Sequence, residues 1–207
     1  MPDGLEVNAL SCFQLDVLRE IGNIGAGNAA TALAKLLDKK IDMKVPKINV
    51  MKFSEVSDVL GGAETLVVGI LLIVQGDISG SLMFILDEQS ARILVNILMN
   101  KSHNAKLEYD EMTLSVLKEI GNILAGSYLS ALSNLTNLRI MPGVPDLAVD
   151  MSGAILSVPA IEFAKDSDSV LYIENEFTDG QESVLGELFL IPDKASFKRL
   201  LHALGVV

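Results

Sequence analysis

The chain has few of the residues on which common catalytic and metal sites depend. Among its 207 residues, one is a cysteine and two are histidines. A lone cysteine excludes an internal disulfide and fits a reducing cytosol, and we interpret Cys12 as a small buried apolar residue. His103 and His202 lie near predicted helix ends, far from any cysteine or aspartate cluster. The sequence therefore predicts neither a histidine-based metal site nor a Ser-His-Asp triad.

Basic residues and long hydrophobic runs are scarce as well. Sixteen lysines and arginines against 27 acidic residues give a formal charge of −11, which repels phosphate backbones, so we expect no nucleic-acid partner. The longest apolar run, residues 66–74, is far shorter than the roughly 20 residues that cross a bilayer. No pattern typical of a secretory signal opens the chain. We therefore expect a cytoplasmic protein without membrane insertion.

What the chain does contain is one sparse pattern of residues, present twice. Asp16, Glu20, Asn23 and Pro46 recur 99 positions later as Ser115, Glu119, Asn122 and Pro145. Around the polar residues, segments 18–34 and 117–133 are identical at 10 of 17 positions. We interpret the chain as a single domain, 1–207, built from two repeats at approximately 11–100 and 110–205, each with a candidate site.

The hydrophobic pattern predicts long helices and a sheet that share one core. Apolar residues at three- and four-residue spacing predict a helix over 12–37 and another in the second repeat. Their expected inward faces contain Leu18, Ile21, Gly25, Ala29, Ala32 and Leu36 in the first copy, and Leu117, Ile120, Leu124, Tyr128, Ala131 and Leu135 in the second. The pattern of each repeat is helix, strand, strand pair (64–87 and 170–193) and short helix (89–100 and 195–205). The predicted fold class is α/β (α+β): a pseudo-two-fold duplication with a mainly antiparallel sheet packed against long helices.

Two local features allow alternative interpretations. Gly22, Gly25 and Gly27 within one helix predict a closely approaching neighbour, with Leu124 and Tyr128 of the other copy as candidates. The glycines do not have the spacing of a nucleotide-binding loop. Segment 150–163 is either a packed connecting helix or a docking surface in which Asp150 takes part.

The polar residues of each helix form a narrow stripe opposite the apolar face. A glutamate and an asparagine three residues apart project side by side. A neutral carboxamide is a poor base, but it can hold a water in line with an electrophile, which suits hydrolysis of an already activated bond. The glutamate is better suited to a lysine beside a phosphoryl group than to the phosphoryl group itself. A solvated helix face is the alternative, and recurrence of the stripe in both copies argues against it.

The stripe and the distant proline together resemble the signature of the CheC/CheX/FliY family of bacterial chemotaxis phosphatases. That signature is Asp or Ser, three residues, Glu, two residues, Asn, twenty-two residues and Pro, and both copies match it in full. Two intact signatures resemble the two-site members of the family rather than the one-signature, dimer-forming ones.

The resemblance implies hydrolysis of the aspartyl phosphate of the response regulator CheY. It implies that Asn23 and Asn122 orient the attacking water and that Glu20 and Glu119 contact a lysine of the regulator. Asp16 and Ser115 would be supporting positions, and Pro46 and Pro145 would shape the chain beside each helix.

The resemblance also implies partners and cofactors. The protein would have no cofactor of its own, and Mg²⁺ would belong to phosphorylated CheY. A second partner would be the receptor deamidase CheD, with Asp150 as a candidate contact. A non-catalytic adaptor that binds and titrates CheD or phosphorylated CheY is the alternative function.

Overall fold

The computed structural model describes residues 12–38, 40–102, 104–162 and 169–205. His103 and the side chain of Cys12 lie outside the described residues. The elements in chain order are α1 (Cys12–Leu37), β1 (Asp42–Lys52), a 3₁₀ turn (Phe53–Glu55), α2 (Val56–Val59), β2 (Leu66–Gly76), β3 (Gly80–Asp87), α3 (Glu88–Leu98), α4 (Glu111–Thr136), β4 (Ile140–Pro142), β5 (Asp146–Met151), α5 (Ser152–Glu162), β6 (Ser169–Thr178), β7 (Ser183–Pro192) and α6 (Lys194–Ala203).

The strands form one antiparallel sheet in the order β1-β6-β7-β3-β2, and β4 and β5 pair one after the other with the outer side of β2. The predicted fold class is confirmed: long helices pack on a mainly antiparallel sheet. The repeat is visible in the elements, because α4, β4 with β5, β6, β7 and α6 follow in the same order as α1, β1, β2, β3 and α3. The predicted limits of the repeats and of the single domain stay predictions.

The two repeats exchange their edge strands. Strand β1 of the first repeat pairs with β6 of the second, while β4 and β5 of the second pair with β2 of the first. Strands β3 and β7 meet at the centre. Within the repeats, the described ladders are β2 with β3 and β6 with β7. Most of the sheet is therefore built between the repeats.

The main core lies between the sheet and the two long helices. Strand residues that alternate along the sheet face this core, among them Ile70, Leu72, Phe84, Ile173 and Leu188. A smaller cluster on the opposite face, including Met83, Leu156 and Phe189, lies under α5 and α2. Because strands alternate their side chains between two faces, strands that are covered on both faces read as nearly continuous apolar runs.

One of the three glycines in α1 makes the predicted close contact with the other repeat. A Cβ at Gly25 would lie 2.6 Å from Tyr128 Cε1, whereas a Cβ at Gly22 would face Val45 of β1 instead. A Cβ at Gly27 would have no neighbour within 4 Å. Gly25 therefore confirms the expected close neighbour and its candidate Tyr128. Gly22 also has a close neighbour, but it is Val45 of the same repeat and not Leu124 or Tyr128, and for Gly27 the expectation is wrong.

The predicted inward faces are wrong at their last positions. Leu36 is 58% exposed and Leu135 is 41% exposed, while most earlier members of both faces are buried. Helices α1 and α4 pack antiparallel, so the last turn of α1 lies beside the first turns of α4. An open recess faces Leu36 there, and none of the residues that the structure describes covers it.

Within segment 150–163, residues 152–162 are helical, as one of its two interpretations predicted, and residue 163 lies outside the described residues. In α5, Ser152, Leu156 and Pro159 are buried, and Ile155 lies against β2, where a Cβ at Gly69 would be 2.8 Å from Ile155 Cγ2. The segment therefore packs on the sheet. Asp150 belongs to β5 and not to the helix. The short helical segment 53–59, which was not predicted from the sequence, occupies the matching place in the first repeat.

Candidate functional site

The first stripe lies on the solvent side of α1. Asp16, Glu20 and Asn23 are exposed, while Leu18 and Ile21 between them are 2% and 0% exposed. This alternation follows the 3.6-residue period of a helix with one face on the core, and it holds the polar side chains outward. Arg19 Nη1 lies 3.1 Å from Asp16 Oδ1 in an exposed ion pair.

The second stripe occupies the same positions on α4. Ser115, Glu119 and Asn122 are exposed. The helix start is held by Asp110, whose Oδ1 accepts a hydrogen bond of 2.8 Å from the Thr113 backbone N–H. That bond lowers the pKa of the Asp110 carboxyl group, so the carboxylate is charged at neutral pH. The negative charge also interacts favourably with the positive N-terminal end of the helix dipole. The stripe begins one turn later.

A glycine precedes each signature asparagine, and both glycines lie where the helix approaches the sheet closely. A Cβ at Gly22 would be 3.2 Å from Val45 Cγ1, and one at Gly121 would be 2.6 Å from Ile70 Cγ2. Because the glycines have no side chain, each helix can lie close to the strand that it contacts. This close packing also fixes the position of the signature asparagine that follows each glycine. This role was not predicted from the sequence, although the Gly-Asn pair occurs in both copies.

Both signature prolines lie in irregularities of an edge strand. Lys44 pairs with Glu176 and Lys47 pairs with Glu174, so β1 advances by three residues where β6 advances by two. In the second repeat, Pro142 of β4 pairs with Val74 and Asp146 of β5 pairs with Leu71. The chain from β4 to β5 therefore advances by four residues where β2 advances by three. Each proline lies in the segment that contains the extra residue.

Such bulges accept proline because they free one residue from the ladder, and proline has no N–H to donate. The surroundings of the two prolines differ nonetheless: Pro46 is exposed and Pro145 is buried. Beside Pro145, Val144 is 84% exposed, whereas its counterpart Val45 packs against α1.

The first stripe opens into a recess between α1 and the bulge of β1. Its volume is about 200 Å³, and it is lined by Arg19, Asn23, Val45, Pro46, Lys47 and Ile48. The signature asparagine and the signature proline therefore share one concave surface, although 22 residues separate them in the chain. Two cationic side chains border it.

A different recess adjoins the second stripe. Its volume is about 270 Å³, and it is lined by Leu33, Leu36, Leu98, Ser115, Val116, Glu119 and Ile120. The polar wall, Ser115 and Glu119, comes from α4 of the second repeat. The three leucines come from α1 and α3 of the first repeat. This part of the second site is thus built by both repeats.

The charges beside the two stripes also differ. Lys47, which borders the first recess, corresponds by the 99-residue offset to Asp146 in the second repeat. Likewise Asp16 corresponds to Ser115, so the ion pair with Arg19 has no charged counterpart there. The duplicated sites are alike in Glu and Asn and unlike in their borders.

Asp150 lies away from both stripes. It is exposed on β5, where its Oδ1 accepts a 2.7 Å hydrogen bond from the Met151 backbone N–H. Val158 and Ile161 of the adjacent α5 are 44% and 61% exposed. Within the described residues, no cluster of three or more His, Cys, Asp or Glu side chains could hold a metal ion. None of the described helices is long and apolar enough to span a membrane.

Fold and stripes together define a duplicated α+β protein with two exposed Glu–Asn sites, and comparison with known proteins places it in a family. The CheC-like family pattern matches residues 13–50 and again 112–149. The chain is 40% identical over 202 residues to the CheY-P phosphatase CheC of Bacillus subtilis, which covers 96% of this chain and 97% of that protein. It therefore belongs to the CheC-like family, and the predicted family resemblance is confirmed.

Two further relatives agree with this assignment. The flagellar motor switch phosphatase FliY of Bacillus subtilis is 31% identical over 140 residues, which are 67% of this chain and 36% of FliY. The crystal structure of Thermotoga maritima FliY superposes with a TM-score of 0.75 at 23% identity, covering 95% of this chain and 98% of that one. That structure shares the fold.

Proposed function

We propose that this protein is a phosphatase that hydrolyses the aspartyl phosphate of the response regulator CheY. The observation that carries the proposal is the exposed Glu–Asn stripe, present on both α1 and α4 in a chain that belongs to the CheC-like family. The relative named CheY-P phosphatase CheC, which is 40% identical over nearly the whole chain, supports the same substrate.

The chemistry asks little of the phosphatase beyond positioning. The oxygen of a water molecule attacks phosphorus, the bond from phosphorus to the aspartyl oxygen breaks, and inorganic phosphate leaves as the carboxylate is restored. Asn23 and Asn122 would orient that water through the carboxamide oxygen, which accepts a hydrogen bond at any pH. Mg²⁺ held by phosphorylated CheY would offset the charge that develops on the phosphoryl oxygens.

The remaining signature residues would hold the two proteins in register. Glu20 and Glu119 would accept a hydrogen bond from a lysine beside the phosphoryl group of CheY. Asp16 would support the stripe through its ion pair with Arg19, and Ser115 holds the same place in the second copy. Pro46 and Pro145 would act structurally, by shaping the edge-strand bulges beside each helix.

The test is the decay of phosphorylated CheY with and without this protein. We expect Asn23→Ala and Asn122→Ala each to leave one working site and the double variant to lose acceleration by about 100-fold, the order of loss for a misplaced reactant. Asn28→Ala is the matched control, because Asn28 is exposed on α1 outside the stripe. If the parent binds phosphorylated CheY without accelerating its decay, the protein is an adaptor instead.

We further propose that the protein is cytoplasmic and binds CheD through the surface around Asp150. The exposed carboxylate, and the exposed Val158 and Ile161 of the α5 helix that follows β5, support a docking surface there. Asp150→Lys should weaken CheD binding and leave the decay of phosphorylated CheY without CheD unchanged. Asp42→Lys, at the opposite edge of the sheet, is the control. Equal CheD binding by both variants would contradict the assignment.

A further inference from the structure

The apolar recess beside the second stripe has no role in the proposed water-positioning chemistry. Its wall contains Glu119, so a partner docked on the stripe also covers the recess. Along a helix each residue rises 1.5 Å, which places Glu119 only about 5 Å from Asn122 along the axis. The recess therefore lies inside the footprint of any protein whose phosphoryl group reaches Asn122.

The recess is apolar because the first repeat supplies its leucines. Leu36 is 58% exposed, Leu98 is half-buried and Leu33 is buried. A large apolar side chain left exposed beside polar signature residues costs free energy in the free protein, and a partner that covers it recovers that cost. The position of Leu36 thus favours a contact that forms only on docking.

We propose that Leu36 is a positioning residue for the opposite site: with Leu98 it receives an apolar side chain that phosphorylated CheY presents next to its phosphoryl group, and so aligns the regulator on Glu119 and Asn122. This inference rests on the proposed phosphatase function. It makes the second site a composite of both repeats. Leu135, the counterpart of Leu36 by the 99-residue offset, does not line the recess beside the first stripe, so the composite is a property of the second site.

The test measures turnover at one site at a time. In the Asn23→Ala background only the second site works, and Leu36→Gln should raise KM for phosphorylated CheY about five- to tenfold with kcat nearly unchanged, as expected for loss of a partly buried leucine contact. In the Asn122→Ala background the same substitution should change neither parameter. Leu135→Gln is a matched control, because this exposed leucine does not line the second recess, and it should change neither parameter in the Asn23→Ala background.

Two controls separate positioning from folding. Glutamine is a good helix former and Leu36 is mostly exposed, so Leu36→Gln should leave the melting temperature unchanged. Leu36→Met keeps an apolar side chain of similar length and should retain the parent KM.

Each remaining outcome overturns a specific claim. An equal effect of Leu36→Gln in both backgrounds, or none in the Asn23→Ala background, overturns the composite site while the phosphatase stands. If the second site does not turn over, the Kd of phosphorylated CheY for the Asn23→Ala variant replaces KM, and a Kd that Leu36→Gln leaves unchanged overturns the composite site. Absence of turnover in every single-site variant overturns the proposed function and the inference with it.

Discussion

The close approach of Gly25 to Tyr128 predicts how a substitution at the contact between α1 and α4 changes the stability of the protein. An alanine Cβ at position 25 would lie 2.6 Å from Tyr128 Cε1, about 1 Å inside ordinary carbon contact. The ring is held in place, because Tyr128 is 1% exposed and its hydroxyl donates a hydrogen bond to the Asn175 amide oxygen. Burial also raises the pKa of Tyr128, which keeps the hydroxyl protonated.

Two opposing terms set the size of the effect of Gly25→Ala. Alanine in a helix interior gains about 1 kcal/mol over glycine, whereas overpacking costs roughly 1–3 kcal/mol. Gly27→Ala is the matched control, since its Cβ would meet nothing within 4 Å and only the gain remains. We therefore expect Gly25→Ala to be about 2 kcal/mol less stable than Gly27→Ala, which is roughly 4–8 °C in Tm for a domain of this size.

Urea and thermal unfolding followed by far-UV circular dichroism would measure the difference. Combining Gly25→Ala with Tyr128→Leu should cost less than the sum of the two single changes, because the smaller side chain makes room for the new Cβ. If Gly25→Ala were as stable as Gly27→Ala, the close approach of the helices at this point would be refuted.

A buried tyrosine and a partly buried glutamate give further predictions. Tyr128→Phe should lower the free energy of unfolding by about 1–3 kcal/mol in urea titrations, because it removes the donor to the buried Asn175 side chain; an unchanged value would contradict this role. Burial, together with the charges of Asp87 and Glu174, raises the pKa of Glu187 to about 7. A raised carboxyl pKa means that the native protein loses stability as pH rises from the unfolded value towards 7. Glu187→Gln should therefore stabilise by on the order of 3 kcal/mol at pH 8 and hardly at pH 4; an equal gain at both pH values would count against it.

Periodicity in the sequence predicts the orientation of the candidate sites, because it is a local property. Glu20 and Asn23 fall opposite the apolar positions of α1, and a helix of 26 residues has no other way to bury that face. The same reasoning failed at Leu36 and Leu135, since exposure at a helix end depends on which neighbour reaches that far. No local pattern carries that information.

The strand order could not be predicted from the sequence. Strand β1 lies next to the hairpin of its own repeat in the chain, yet it pairs with β6 more than 100 residues later. Pairing of β1 with β6 and pairing of β1 with the β2–β3 hairpin of its own repeat would bury the same apolar residues and satisfy the same backbone groups. The choice depends on where α1 places the strand, which is a tertiary property. The bulge at Pro46 was likewise visible only in the pairing register.

Exchange of the edge strands leads to a final prediction, that neither repeat folds alone. In a fragment that ends at Ser102, β1 lacks its partner β6, and the outer side of β2 loses β4 and β5. The fragment also loses α4, on which α1 packs through Gly25. Strand β3 also loses β7, so the apolar strands β2 and β3 would each have an unpaired edge, a condition that favours aggregation.

Cleavage of the chain after Ser102 should therefore give two fragments that are insoluble when expressed separately and fold when expressed together. Lys101, Ser102 and Asn104, which flank the break, are exposed, so the joined pair loses few contacts. Loss of the covalent link adds the entropy of association, and the pair should melt at a lower and concentration-dependent temperature. A cooperative melting transition from the fragment 1–102 alone would show that its edge strands do not need the other repeat.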